Sequence, residues 1–407
     1  LQKRREYMRR LACILGFLLV VGGCKIEKVE PPTEDPVIVS LRVSSYLVSP
    51  GGYTEILAWA SDPDLQDDTL YYEWSVEPQD GRFTDTTDTN ETSTANPIRW
   101  WPETPGEYTI TLKVKDGRGG EADTSFKVSV AHYALVRIIG EEDLAMPYGL
   151  SVEEDEIWVA DPSQKMVFVF DLEGNKKGAY PVVIREIDNG ETTYTEMEPY
   201  DIEVGDSLLY VVSLTAEGCR YGKLDEENER IVLTGKYATS EKNLYVMLRE
   251  GNHNYLLVGV NDGNVRLRIV DRTLLTVSEI KIEESVAGGI TNDGERVYEA
   301  FYLDTLIAGV RWWDIDDPYN TYSTFYDSLH NPRSVGYWND TLFVGDAPEG
   351  QRRIVVLNAS DGSYIEKFGT LGNGPDQLNM PTDIEVRNGL IYVVDMGNHA
   401  IKVFEKQ

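Results

Sequence analysis

The chain has 407 residues, with 69 acidic and 38 basic side chains and a formal net charge of −31. A surface this acidic repels nucleic-acid phosphate and anionic lipid, which sets nucleic acid aside as a partner. It favours solubility, cationic partners or divalent ions, and the length is ample for two domains.

The chain opens on a basic stretch, Lys3, Arg4, Arg5, Arg9 and Arg10, followed by the apolar run "LACILGFLLVV" from Leu11 to Val21. Eleven residues are too few for a permanent membrane span and suit a targeting segment. The run ends in Val21-Gly22-Gly23-Cys24. Small residues directly before a Cys resemble the lipobox of bacterial lipoproteins. The resemblance implies lipidation of the Cys24 thiol, cleavage of residues 1–23 as signal peptide, and a membrane-anchored mature protein; an ordinary secretory signal with a chance Cys is the other reading. "MRRLACILGFLLVVGGC" is already a complete signal, so Met8 is an alternative start. Residues 1–23 carry five basic and one acidic side chain, so cleavage leaves 384 residues of net charge −35. Cys219 is then the only unlipidated cysteine, which leaves no intramolecular disulfide. Residues 24–36 are the lipidated Cys and a Pro- and charge-rich tether. By resemblance to enterobacterial sorting rules, Lys25 rather than Asp after the Cys points to the outer membrane of a cell envelope.

Residues 37–130 alternate apolar and polar side chains in short runs: "VIVSLRVS" (37–44), "TEILAWAS" (54–61), "LYYEWSV" (70–76), "EYTITLKVKD" (107–116) and "TSFKVSV" (124–130). The period is that of strands, and Gly-, Pro- and Asp-rich turns separate them. Several short strands in under a hundred residues predict a β-sandwich. At "YYEWSV" and "PGEYTITLKVKDGRGG" the unit resembles PKD and related immunoglobulin-like modules, without the "GDG" turn usual in PKD domains. That resemblance makes Trp74 the core tryptophan and Tyr108 a tyrosine corner. The loop "SDPDLQDD" offers Asp62, Asp64 and Asp67 as oxygen ligands for calcium; an Asx turn in solvent is the alternative.

Residues 131–407 repeat a unit of Pro, short strand, turn and further strands, with two weaker copies in the middle. Copies begin near 147, 199, 244, 287, 332 and 381, at spacings of about 40–50 residues, the signature of a β-propeller with four strands per blade. "FGTLGNGPDQLNMPTDI" followed by "IYVVDMGNHAIKVF" resembles the NHL repeat. The last copy holds three strands, while residues 134–139 before the first copy are an orphan strand. Donating the orphan to the last copy closes the ring and leaves no unpaired edge. The predicted architecture is therefore all-β: an immunoglobulin-like sandwich and a six-bladed propeller closed by an N-terminal strand.

By the geometry of the resembled family, ligands bind where the innermost strands begin. The candidate rim residues there are Tyr148, Glu198, Tyr200, Asp201, Arg333 and Asp383, a polar and aromatic set suited to a protein or glycan. Asp161, Asp346 and Asp395 end second strands and read as turn-capping carboxylates. Six-bladed relatives include calcium-dependent lactonases, which makes Glu198, Asp201 and Asp383 an alternative axial calcium site. No G-x-S-x-G elbow, P-loop, dinucleotide fingerprint or H-E-x-x-H is present. The sequence reading thus favours a membrane-anchored binding protein or scaffold over a hydrolase.

Overall fold

The computed structural model describes residues 34–63, 69–84, 93–205, 208–213, 218–236, 244–250, 255–261, 264–270, 276–283, 286–302, 308–314, 323–325 and 329–407, with the backbone alone within 244–287 and 323–325. The leader, Cys24, Asp64 and Asp67 lie outside the described residues.

The first unit is two four-stranded sheets. One runs in the order Val37–Val43, Thr54–Ser61, Ile98–Trp101, Arg82–Phe83; the other Leu47–Val48, Glu121–Val130, Gly106–Lys115, Tyr71–Glu77. Alternation does the sorting. In Gly106–Lys115, Tyr108, Ile110, Leu112 and Val114 point inward to meet Ile56, Trp74, Ile98 and Trp100 in one core. Trp74 is fully buried and its indole N–H donates to the Ala95 carbonyl at 2.9 Å, so burial leaves no orphaned donor. The Tyr108 hydroxyl donates to the carbonyl of Thr104, four residues upstream, at 2.9 Å.

Beyond Ala131 the chain forms six four-stranded blades, four of them separate sheets and the first two joined through their outer strands into one nine-stranded sheet. Their innermost strands are Gly149–Val152, Asp201–Val204, Leu244–Glu250, Val286–Asn292, Pro332–Trp338 and Pro381–Arg387, here taken as blades 1 to 6. Each innermost strand touches the next, and that of blade 6 touches that of blade 1, so the ring is closed. This is a β-propeller.

The orphan strand supplies the closure. Tyr133–Ile139 pairs antiparallel with Ala400–Lys406 and completes blade 6. Its register slips by one residue between Val403 and Phe404. The same slip separates the third and outer strands of blades 1, 2, 3 and 5, at Val169/Phe170, Tyr221/Gly222, Ile269/Val270 and Val356/Leu357. The donated strand therefore occupies the same geometric position as a covalently continuous one. Aromatic packing fastens it: Tyr133 stacks on Phe368 of blade 5 at 4.8 Å and meets Phe343 edge-on at 5.8 Å.

Blade 1 holds a feature absent from the repeat pattern. Its outer strand, Lys176–Asp188, runs on until Val182–Ile184 pairs in parallel with Ile231–Leu233, the outer strand of blade 2. It then turns at Asn189-Gly190, both at positive φ (49° and 85°), and returns as Glu191–Glu196. Asn-Gly is the preferred pair for such a hairpin turn. The extension covers an edge of blade 2 that would otherwise offer unpaired backbone groups.

The two units are docked. Asp376, in the connector between blades 5 and 6, accepts the Ser45 hydroxyl at 2.6 Å and the Leu47 N–H at 2.5 Å. Leu47 itself packs into the propeller core beside Tyr133 and Leu378. Lys367 meets Glu107 at 3.0 Å. Asp376→Ala removes both short docking bonds and leaves the buried Leu47 N–H only the Ser45 hydroxyl at 3.3 Å, at an expected cost of about 1–3 kcal/mol. Calorimetry should then split the unfolding into two transitions, whereas a single unshifted transition would show that the docking contact contributes nothing.

Candidate functional site

Propeller blades join across the axis through their innermost strands, which form no ladder with one another. Side chains bridge them instead. Counting from the opening Pro, the third and fifth residues of blade 6 and the fifth of blade 1 face the next blade. Asp383 of blade 6 accepts the Leu150 N–H of blade 1 at 2.9 Å, and Glu385 accepts the Val152 N–H at 2.6 Å. Ser151 of blade 1 accepts the Val204 N–H of blade 2 at 3.3 Å. The third residue of blade 1 is Gly149, because a Cβ there would sit 2.2 Å from Asp201 Oδ1 and 2.8 Å from the Asp201 Cα.

These bridges enclose carboxyl groups, and enclosure disfavours their charge. Burial pushes the Asp383 carboxyl up from its ordinary value. Burial also pushes Glu385 up to about 8, reinforced by the Asp383 charge and opposed only by the Val152 N–H and Arg387. Glu385 therefore favours its protonated form well above the ordinary carboxylate range. It completes an acidic pair, Asp383-x-Glu385, that Asp201-x-Glu203 repeats on blade 2.

The loops entering the innermost strands are clamped from the second strands. Asp161 accepts the N–H groups of Ala145 (2.7 Å) and Met146 (2.9 Å), the two residues before Pro147. Asp346 does the same for His330 (3.1 Å) and Asn331 (2.7 Å) before Pro332, and Asp395 for Asn379 (2.9 Å) and Met380 (2.8 Å) before Pro381. These carboxylates cap the loop preceding the first strand; Asp161 also caps the following turn at Gln164. Burial would raise the Asp161 carboxyl, yet its N–H and hydroxyl donors hold it below the usual range. Arg353 forks onto Asp346 at 2.8 and 3.0 Å, and Lys402 reaches Asp395 at 3.3 Å. All three aspartates are fully buried and engaged in holding loops.

These three loops and the one before Pro199 present the residue after each Pro: Tyr148, Tyr200, Arg333 and Thr382, all half-buried. Tyr148 and Tyr200 meet edge to face at 5.2 Å. Arg333 lies 5.2 Å over the Tyr302 ring, and Thr382 donates to the Tyr148 carbonyl at 2.8 Å. The structure thus brings Tyr148 and Tyr200 together, while Arg333, at the corresponding position of blade 5, packs on Tyr302 of blade 4. Asp201 and Asp383 sit one residue deeper, between blades, and Glu198 is half-buried ahead of Pro199. Among the described residues no three His, Cys, Asp or Glu side chains form a metal-holding group, so Glu198, Asp201 and Asp383 do not make one cluster. Asp62 is described, but its companions Asp64 and Asp67 lie outside the described residues. Glu385 escaped the sequence reading; its signal was the period-2 acidic pair on an innermost strand.

Residues 378–404, the innermost three strands of blade 6, match the NHL repeat. No curated protein matches the chain. Among solved structures, the chain is similar to the PQQ-bound form of aldose sugar dehydrogenase from Streptomyces coelicolor, at 10% identity and a TM-score of 0.46, over 67% of this chain and 97% of that one.

Proposed function

We propose that the propeller is a recognition module that binds a protein or carbohydrate at its rim, carried on an immunoglobulin-like spacer and anchored to the bacterial envelope through Cys24. The observation that carries this reading is the division of labour at the mouth. The buried aspartates are consumed in clamping loops, while Tyr148, Tyr200 and Arg333, each following an opening Pro, are left half-exposed, the two tyrosines in contact with each other. Aromatic and Arg side chains dominate binding energy at recognition surfaces. The inward Trp74 and the Tyr108–Thr104 hydrogen bond support the immunoglobulin-like reading of the spacer.

A calcium-assisted hydrolase at the axis is less well supported, since Asp383 and Glu385 are occupied with Leu150 and Val152. Two experiments separate the readings. Oligosaccharide and peptide arrays probed with the parent and with a Tyr148→Ala/Tyr200→Ala/Arg333→Gln variant should yield at least one ligand lost only by the variant, by a factor of about 100 or more. Melting with calcium and with chelator should leave the parent unmoved. A calcium-dependent rise abolished by Asp383→Asn would instead favour the hydrolase.

A further inference from the structure

A second concave site lies away from the axis, at the seam between the two units. It is a cleft of about 290 Å³. Tyr46, Phe126 and Lys127 line it from the sandwich side, and Arg352, Leu371 and Gln377 from blade 5 and its connector. Ligand sites favour such domain junctions, and this volume suits a single ring with its substituents.

The charge state of the walls is informative because the molecule is so acidic. Glu107, the one carboxylate of the lining, is neutralised by Lys367 at 3.0 Å. Lys127 has no hydrogen-bond or ionic partner among the described residues. Arg352 is fixed by its own backbone surroundings: Nε donates to the Asn379 carbonyl at 2.7 Å, and Nη1 to the carbonyls of Pro348 and Gln351 at 2.6 Å each. Its Nη2 has no partner among the described residues. Gln377 is already satisfied by Thr370, Leu371 and Gly374. The cleft therefore presents two cations with open donors, one of them immobilised in advance. Beside them Tyr46 and Phe126 meet edge to face at 6.0 Å, and Leu371 is 42% exposed.

The geometry points to a binding site for a small ring-bearing carboxylate, with the anion between Lys127 and Arg352 and the ring against Tyr46, Phe126 and Leu371. A guanidinium locked through Nε and Nη1 loses little freedom on receiving a carboxylate, which favours binding at modest contact area. Such a ligand touches both units and would tighten their seam.

The two sources of this chemistry, an acidic sugar and an aromatic acid, are separated by titrating the full chain with glucuronate, benzoate, glucose and benzyl alcohol. Millimolar binding of glucuronate, benzoate or both is expected, with the neutral analogues at least about tenfold weaker. The acid that binds identifies the source. Lys127→Glu, an exposed change that should leave melting of the unliganded chain unaltered, is expected to weaken binding by at least about tenfold, and Arg352→Gln to do likewise. Equal binding of the neutral analogues, unaltered binding by Lys127→Glu, or no millimolar binding of either acid would overturn the proposal. All three readouts are independent of the propeller rim.

Discussion

Replacing Glu385 by Gln should stabilise the protein at pH 8 while changing it little at pH 5. Burial pushes the folded carboxyl up to about 8, whereas in the unfolded chain it returns to an ordinary value near 4.5. Between those values the native state holds a proton that the unfolded chain has released. Stability from this group is therefore full at low pH and falls as pH rises through the window. At about 1.36 kcal/mol per unit the whole window is worth as much as roughly 4–5 kcal/mol. Gln keeps an oxygen to accept the Val152 N–H but cannot ionise. The parent should lose about 5–10 °C of melting temperature between pH 5 and 8, and Glu385→Gln at most half of that. Charge repulsion from the acidic surface affects both proteins alike, so the comparison isolates the axial group. Equal pH slopes would mean that Glu385 ionises at its ordinary value and that water, not protein, surrounds it.

The second large effect concerns ring closure. Ile139 ends the donated strand, is 1% exposed, and packs with Val394, Ile401 and Val403 of blade 6 and Leu150 of blade 1. Ile139→Asp removes that apolar contact and buries a carboxyl with no partner, at an expected cost of about 4 kcal/mol or more. The loss should be regional as well as global. Amide exchange should accelerate through Ala400–Lys406, whose outer edge would open, before it accelerates in blade 5. Ile365, on the outer strand of blade 5 and 46% exposed, is the control, and Ile365→Asp should change stability by no more than about 0.5 kcal/mol. Uniform exchange across all blades would show that the ring opens as one unit and that this strand is not its weak point.

Much of the propeller was legible because its blades obey local rules. Pro opens four of the six copies, Asp closes three of the second strands, and an odd strand at each end of the repeat array implies a shared blade. Other features depend on distance in the chain. Asp376 meets Ser45 across more than three hundred residues, and nothing near either position signals the contact. The extension of blade 1 was hidden for a different reason. Glu191–Glu196, "ETTYTE", is exposed throughout, so it has no apolar alternation to mark it as a strand, and only the Asn189-Gly190 turn hints at a hairpin. At the mouth, residue types were readable but depth was not. Asp201, Asp383 and Tyr148 are near neighbours in the repeat pattern, yet only the contacts between blades, Asp383 on the Leu150 N–H and Asp201 against Gly149, show that the aspartates face the neighbouring blade.

The most direct measurement is a hydrogen-exchange footprint of the full chain with the ligand that the array experiment identifies. Recognition at the rim predicts protection in the segments around Tyr148, Tyr200, Arg333 and Thr382, with little change in the outer strands or at the seam between the units. Protection confined to the sandwich, to the seam or to the outer edges of the blades would contradict it and move the binding surface away from the propeller mouth.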